Sequence, residues 1–141
     1  MRKILIPCDG SDTALRAVQY AASVANDLSD VLLELLYVQD PILLDVYADS
    51  SVQEIEHNLQ VEEANRILLS AKQILDTAGV PYQVDARVGS PANEIAQHVS
   101  EKQCNEIIMG THGLGSVASM IIGSVATKVI HLVEVPVTLI K

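Results

Sequence analysis

The sequence predicts an α/β fold built on a doubly wound, five-stranded parallel sheet with helices on both faces. Three observations predict it. Short runs rich in leucine and β-branched residues alternate with longer segments whose apolar residues recur at helical spacing. Pro, Gly, Ser and Asp punctuate the boundaries between them. The order β-α-β-α-β-α-β-α-β never lapses, and strict alternation dictates right-handed crossovers and parallel strands.

The elements follow in turn. "RKILIPC" (2–8) is an apolar run ending at a proline, the mark of a buried strand. In "DGSDTALRAVQYAASVANDLS" Ser11 is placed to cap a helix, Asp12 lies in its first turn, and Leu15, Val18, Ala22 and Ala25 share a face. "DVLLELLYVQD" (30–40) is a second strand, and the long connection "QDPILLDVYADSS" after it reads as a surface excursion. A helical pattern from Val52 to Thr77 runs through Ile55, Leu59, Ala64, Ile67, Leu68, Ala71 and Leu75 until Gly79 stops it. Its acids Glu54, Glu56, Glu62 and Glu63 form a solvated face.

"VPYQVDARV" sets Tyr82, Val84, Ala86 and Val88 against Gln83, Asp85 and Arg87, the pattern of an edge strand with one wet face. "GSPANEIAQHVSEKQ" opens a third helix with Ser90 as cap and Pro91 at the first position. "NEIIMG" is a fourth strand, "GSVATKVIHLVE" a fourth helix and "VPVTLIK" a last strand. Successive helices of such a sheet change face once. With strand one central, that point lies between strands one and four, and ligands bind there at the carboxyl ends of the strands.

Composition narrows the function. A length of 141 residues suits one domain spanning 1–141, and its core is aliphatic, because the chain has no Trp or Phe and four Tyr. A net charge of −9 argues against nucleic acid, though not against a small anion held by local geometry. No apolar run approaches the roughly 18–20 residues of a membrane span, and the start "MRKILIPCDG" is too short in its apolar part for a secretory leader. The expectation is a cytoplasmic protein. Cys8 and Cys104 show no CxxC or metal-ligand spacing and read as small buried thiols, with a redox role left open for Cys8 beside Asp9. His57, His98 and His131 read as surface or core-edge residues, and Met109 and Met120 as packing.

The chemistry concentrates in "MGTHGLGSVASMIIGSV" (109–125). It has glycines at 110, 113, 115 and 123, and no Asp, Glu, Lys or Arg occurs from Ile107 to Thr127. A Walker A reading of "GTHGLGS" fails, because Ser116 stands where the phosphate-binding lysine must be. "GLGSVA" satisfies the dinucleotide fingerprint formally, but a single strand follows it, so half of that binding fold is missing. What remains is G-x-x-G-x9-G-[ST], read as Gly110, Gly113, Gly123 and Ser124.

A helix N-terminus binds phosphate through unpaired N–H groups and a partial positive charge, without a lysine. Gly123-Ser124 opens the last helix, so the N–H groups of Gly123, Ser124 and Val125 are expected to point at a phosphate. Gly110 and Gly113 are expected to permit close backbone approach and positive φ. Excluding acids from 107–127 removes repulsion that the net charge would otherwise impose. Asp9 reads as a ligand group, the alternative being a partner of the first helix turn; His112 reads as solvated or phosphate-facing, and Ser124 as a cap compatible with phosphate. No second carboxylate belongs visibly to the cleft, and no nucleophile–base arrangement stands out.

Over essentially its whole length the chain resembles the universal stress protein family, in its ATP-binding branch. The opening strand, "PCDGS" turn and first helix, the "LLYVQD" strand, "GSPANEI" and "MGTHGLG…GSVATKVI…VPVTLIK" carry the likeness. It implies an adenine nucleotide alpha hydrolase-like fold of strand order 3-2-1-4-5. Pro7 and Asp9 would border the adenosine, Asp9 accepting from ribose hydroxyls, and Val38, just after strand two, would meet the adenine through its backbone. Met109, Gly110, His112 and Gly113 would follow ribose and phosphates, and Gly123, Ser124, Val125 and Ala126 would hold the phosphates. The ligand implied is ATP, or ADP or AMP, with Mg²⁺ brought by the phosphates and little or no hydrolysis. Many members place Lys or Arg within the long motif; "LGSVASMII" has neither. The implied role is nucleotide-responsive signalling in stress adaptation through a protein partner, as a homodimer pairing the last strand, Val135–Lys141. A nucleotide-free dimeric interaction module is the alternative.

Overall fold

The computed structural model describes residues 1–41, 50–114 and 121–141, with the side chains of 50–60 outside that description. Its elements are β1 (Arg2–Pro7), α1 (Asp12–Asp27), β2 (Val31–Gln39), α2 (Ser50–Ala78), β3 (Tyr82–Val88), α3 (Pro91–Lys102), β4 (Glu106–Gly110), α4 (Ser124–Leu132) and β5 (Val137–Ile140). The sheet order is β3-β2-β1-β4-β5, and every pairing is parallel. The predicted class and strand order are therefore observed.

A strand buried on both faces needs apolar residues at every position rather than every second one. β1 and β2 meet that demand. Ile4, Ile6, Leu33, Leu35 and Tyr37 face a core closed by α1 and α2, in which Ala14, Ala17, Ala21 and Ala22 let α1 lie close to the sheet. Leu5, Leu36, Ile107 and Met109 face the opposite core, closed by Ile95 and Val99 of α3 and Ala126 and Val129 of α4. Each fully buried Leu or Ile stabilises by roughly 1.5–3 kcal/mol relative to exposure. The helices thus change face at the β1–β4 boundary.

Element ends follow the capping rules in most places. Ser11 accepts from the Ala14 N–H and caps α1. Gly79, at φ +68°, ends α2 with its N–H on the Leu75 carbonyl at 3.0 Å. Pro91 is the first residue of α3, but Ser90 makes no side-chain cap hydrogen bond.

Two expectations are corrected. The wet face of β3 is not its charged face: Val84 and Val88 are exposed, while Arg87 is held over α3 by Glu94 and Glu101 at 2.7 and 2.8 Å. His98 is neither surface nor core edge, since it is completely buried. Cys8 is buried as expected, and desolvation pushes its thiol up to about 11, which argues against the redox role left open for it. Among the described residues no helix is long and apolar enough to cross a membrane.

Candidate functional site

At the carboxyl ends of β1, β2 and β4 a cleft of about 580 Å³ opens, within the range of small-molecule sites. Its position is the switch point of the sheet. Pro7 and Asp9 line it from the first loop and Val38 from β2. Met109, Gly110, His112 and Gly113 line it from β4 and the loop beyond, and Gly123, Ser124, Val125 and Ala126 from the start of α4. Every residue singled out from the sequence is therefore on one surface.

The loop after β4 is fastened to the start of α1. The His112 carbonyl accepts from Thr13 Oγ1 at 2.6 Å and from Ser11 Oγ at 3.3 Å. Asp9 joins the two loops: Oδ1 accepts from the Ser11 N–H at 2.9 Å and Oδ2 from the Leu114 N–H at 3.0 Å. The reading of Asp9 as a partner of the first helix turn holds, and these bonds use two of the roughly four lone-pair sites of a carboxylate. His112 Nδ1 lies 2.9 Å from Thr111 Oγ1.

The glycines are needed for room. A Cβ on Gly110 would run into Thr13 Oγ1 and stand 2.8 Å from the Ala14 nitrogen; one on Gly113 would stand 2.7 Å from Asp9 Oδ2. The expected positive φ is not found at either, because positive-φ glycines are Gly10, Gly79 and Gly89. Gly10, at φ +83°, makes the turn after β1.

The Gly123 N–H does not point at a phosphate site. It donates to the Thr111 carbonyl at 2.6 Å, closing the loop on itself. The first bond of the α4 ladder runs from the Thr127 N–H to the Gly123 carbonyl at 3.1 Å. Ser124, Val125 and Ala126 precede that ladder, and their N–H groups form the positive end of the helix. The N–H groups left outside the ladder therefore begin at Ser124, one residue later than expected.

Val38 lies inside β2, in register with Arg87, rather than after the strand. The Cys8 N–H donates to the Leu36 carbonyl and the Gly89 N–H to the Gln39 carbonyl. Backbone groups alternate sides along a strand, so Val38 turns its N–H and C=O toward β1's side. β1 has already ended there, at Pro7. A planar ring could take both groups.

Sequence reasoning missed Tyr37, Asp40, Ile67 and Thr111, which also line the cleft. Asp40 corrects the expectation that no second carboxylate belongs there. Its signal was its place directly after a central strand. Burial, and then Glu63, raise the Tyr37 hydroxyl pKa; Arg66 opposes them, and Asp40 and Asp9 add to the rise.

The universal stress protein family model matches residues 1–141, and the chain belongs to that family. Universal stress protein MJ0531 of Methanocaldococcus jannaschii is 31% identical over 140 residues, covering 99% of this chain and 82% of its own. The solved structure of protein MJ0577 from the same organism superimposes with a TM-score of 0.81 at 31% identity, over 99% of this chain and 95% of that one. A family protein from Arabidopsis thaliana, At3g01520, solved with AMP bound, shares the fold with a TM-score of 0.71 at 21% identity, over 100% and 92% of the two chains. The architecture is the adenine nucleotide alpha hydrolase-like α/β fold.

Proposed function

We propose that the cleft binds an adenine nucleotide, ATP or its lower phosphates, as a ligand that switches interaction with a protein partner in stress adaptation. The observation that carries this reading is the meeting, at one switch-point cleft, of the Val38 backbone, the Asp9 carboxylate and the first turn of α4. In this arrangement Val38 takes the adenine edge and Asp9 accepts from ribose hydroxyls. The N–H groups of Ser124, Val125 and Ala126 hold phosphate, and Met109, Gly110, His112 and Gly113 floor the path between. Mg²⁺ arrives on the phosphates and would supply charge neutralisation there. Hydrolysis has no part in the proposal; the nucleotide acts as ligand.

β5 lies at the sheet edge with all four residues half-buried. Proteins rarely leave such an edge bare, so we assign Val135–Lys141 to pairing with a second copy. Sedimentation at micromolar concentration should give a dimer; monomer alone would refute the pairing.

The test of binding is twofold. Protein purified and then denatured should release adenine nucleotide, and calorimetric titration with ATP and ADP, with and without Mg²⁺, should give heat. No heat in any arm would leave the dimeric interaction module as the function. Gly123→Val should abolish binding with folding retained. Its Cβ would meet the Thr111 carbonyl at 3.1 Å and the His112 Cα at 3.5 Å, crowding the loop edge at an ordinary φ of −73°.

A further inference from the structure

The chain has nine lysines and arginines, and among the described residues none lines the cleft. The undescribed stretches 42–49 and 115–120, and the 50–60 segment, contain no Lys or Arg in sequence. The nearby cations are committed elsewhere. Arg66 grips Glu63 through two bonds, at 2.6 and 3.0 Å. Arg87, level with Val38 on the next strand, is held by Glu94 and Glu101. Arg16 bonds the Lys141 carbonyl, and Lys128 lies in a separate groove between α3 and α4.

Against this stand two lining carboxylates, Asp9 and Asp40. They differ in kind. Asp9 is tied by two backbone N–H groups, while Asp40 is exposed at the end of β2. With no Lys or Arg among the described lining residues, the fixed positive element there is the first turn of α4, equivalent to roughly half a unit charge. Half a charge can hold one phosphate. It cannot offset the roughly four negative charges of metal-free ATP beside two carboxylates in an acidic protein.

We propose that the cleft selects its nucleotide by phosphate charge, accepting adenine monophosphate or the Mg²⁺ complex of a polyphosphate and rejecting metal-free ATP, with Asp40 a determinant of the rejection. The proposal rests on the nucleotide reading above and goes beyond it by ranking ligands. It also inverts the usual salt dependence. An anion held by cations binds more weakly as salt screens the attraction; here screening relieves repulsion.

The experiment is calorimetric titration of the full chain with AMP, ADP and ATP, in EDTA or in excess Mg²⁺, at low and high KCl. In EDTA, AMP should bind at least about tenfold more tightly than ATP, and Mg²⁺ should close the gap to within about threefold. In EDTA, ATP affinity should rise with KCl. Asp40→Asn, an exposed and near-isosteric change, should narrow the AMP-to-ATP gap in EDTA by about threefold or more. If metal-free ATP binds as tightly as AMP and weakens with salt, charge selection is overturned while nucleotide binding stands. If Asp40→Asn leaves the gap unchanged, Asp40 is not its source. If none of the three nucleotides binds under any condition, both readings fall together.

Discussion

β2 carries two polar arrangements on the same face, four residues apart, and they are built in opposite ways. At Val38 the strand opens onto the cleft, where the polar groups named above are tied to backbone or face the opening. At Glu34 the same strand buries a carboxylate against His98 of α3, with 2% and 0% side-chain exposure. The His98 Nε2 to Glu34 Oε2 distance is 3.8 Å, beyond hydrogen-bond reach. Glu34 Oε1 and both ring nitrogens of His98 have no hydrogen-bond partner among the described residues. The cleft is held by many short bonds to backbone, whereas the pair is held by the packing around it. One region has its polar groups tied into a defined shape; the other tolerates unmatched polarity inside a core.

The largest effect should come from breaking the cleft's close approach. Gly110→Val places a side chain where Thr13 Oγ1 and the Ala14 nitrogen already stand. Because one obstacle is backbone, neither side can yield cheaply, and the loss should be about 3 kcal/mol or more. Urea unfolding measures it; a loss below 1 kcal/mol would show that the loop and α1 are not locked together.

Next is the buried pair. His98→Leu leaves Glu34 buried without its counterpart and should cost about 2 kcal/mol. Adding Glu34→Leu removes the orphan, and the double variant should recover wild-type stability or exceed it. Single losses that merely add in the double variant would mean the two residues act separately, as packing.

The pair should also give a pH signature. Burial lowers the His98 pKa below its ordinary 6.5; Asp85 and Glu34 oppose that shift, and Arg87 and Lys102 reinforce it. The unfolded chain therefore binds a proton at a higher pH than the native chain. Stability conferred by the neutral ring is complete above about pH 6.5 and is lost as pH falls through the lowered native value. Melting temperature should fall between pH 7 and 5 in wild type and fall less in His98→Leu. Equal slopes would assign the acid sensitivity to carboxylates elsewhere.

The two regions were also unequally legible. The cleft could be read from "MGTHGLG" and "IIGSV" because close approach demands glycine, and an N-terminal helix turn needs only order, not a particular side chain. The use of each group was less legible. Nothing local tells Gly123 to give its N–H to Thr111 rather than to a ligand, since that partner is set by how the loop closes in space. The parallel sheet followed from alternation and its strand order from the family resemblance, while the buried pair left no trace. "LLELL" places a Glu in a central strand, and His98 sits at helical spacing with Ile95 and Val99, yet only the crossing of α3 over β2 brings them together. β3 misled for a related reason: its charged face is covered because Glu94 and Glu101 arrive from α3 to receive Arg87.

The smallest predicted effect tests whether the cleft's bonding is redundant. Ser11 caps α1 through a long bond, 3.4 Å from the Ala14 N–H to its Oγ, and its hydroxyl reaches the His112 carbonyl at 3.3 Å. Thr13 Oγ1 meets the same carbonyl at 2.6 Å. Ser11→Ala therefore removes one stretched cap and the weaker of two donors, leaving the carbonyl satisfied. The loss should be about 0.5–1 kcal/mol, at the low end for an N-cap. A loss above about 2 kcal/mol in urea unfolding would make Ser11 the principal clasp of the loop. The cleft would then depend on a single polar contact, much as the buried pair depends on its packing, and the contrast between the two ends of β2 would shrink to one hydroxyl.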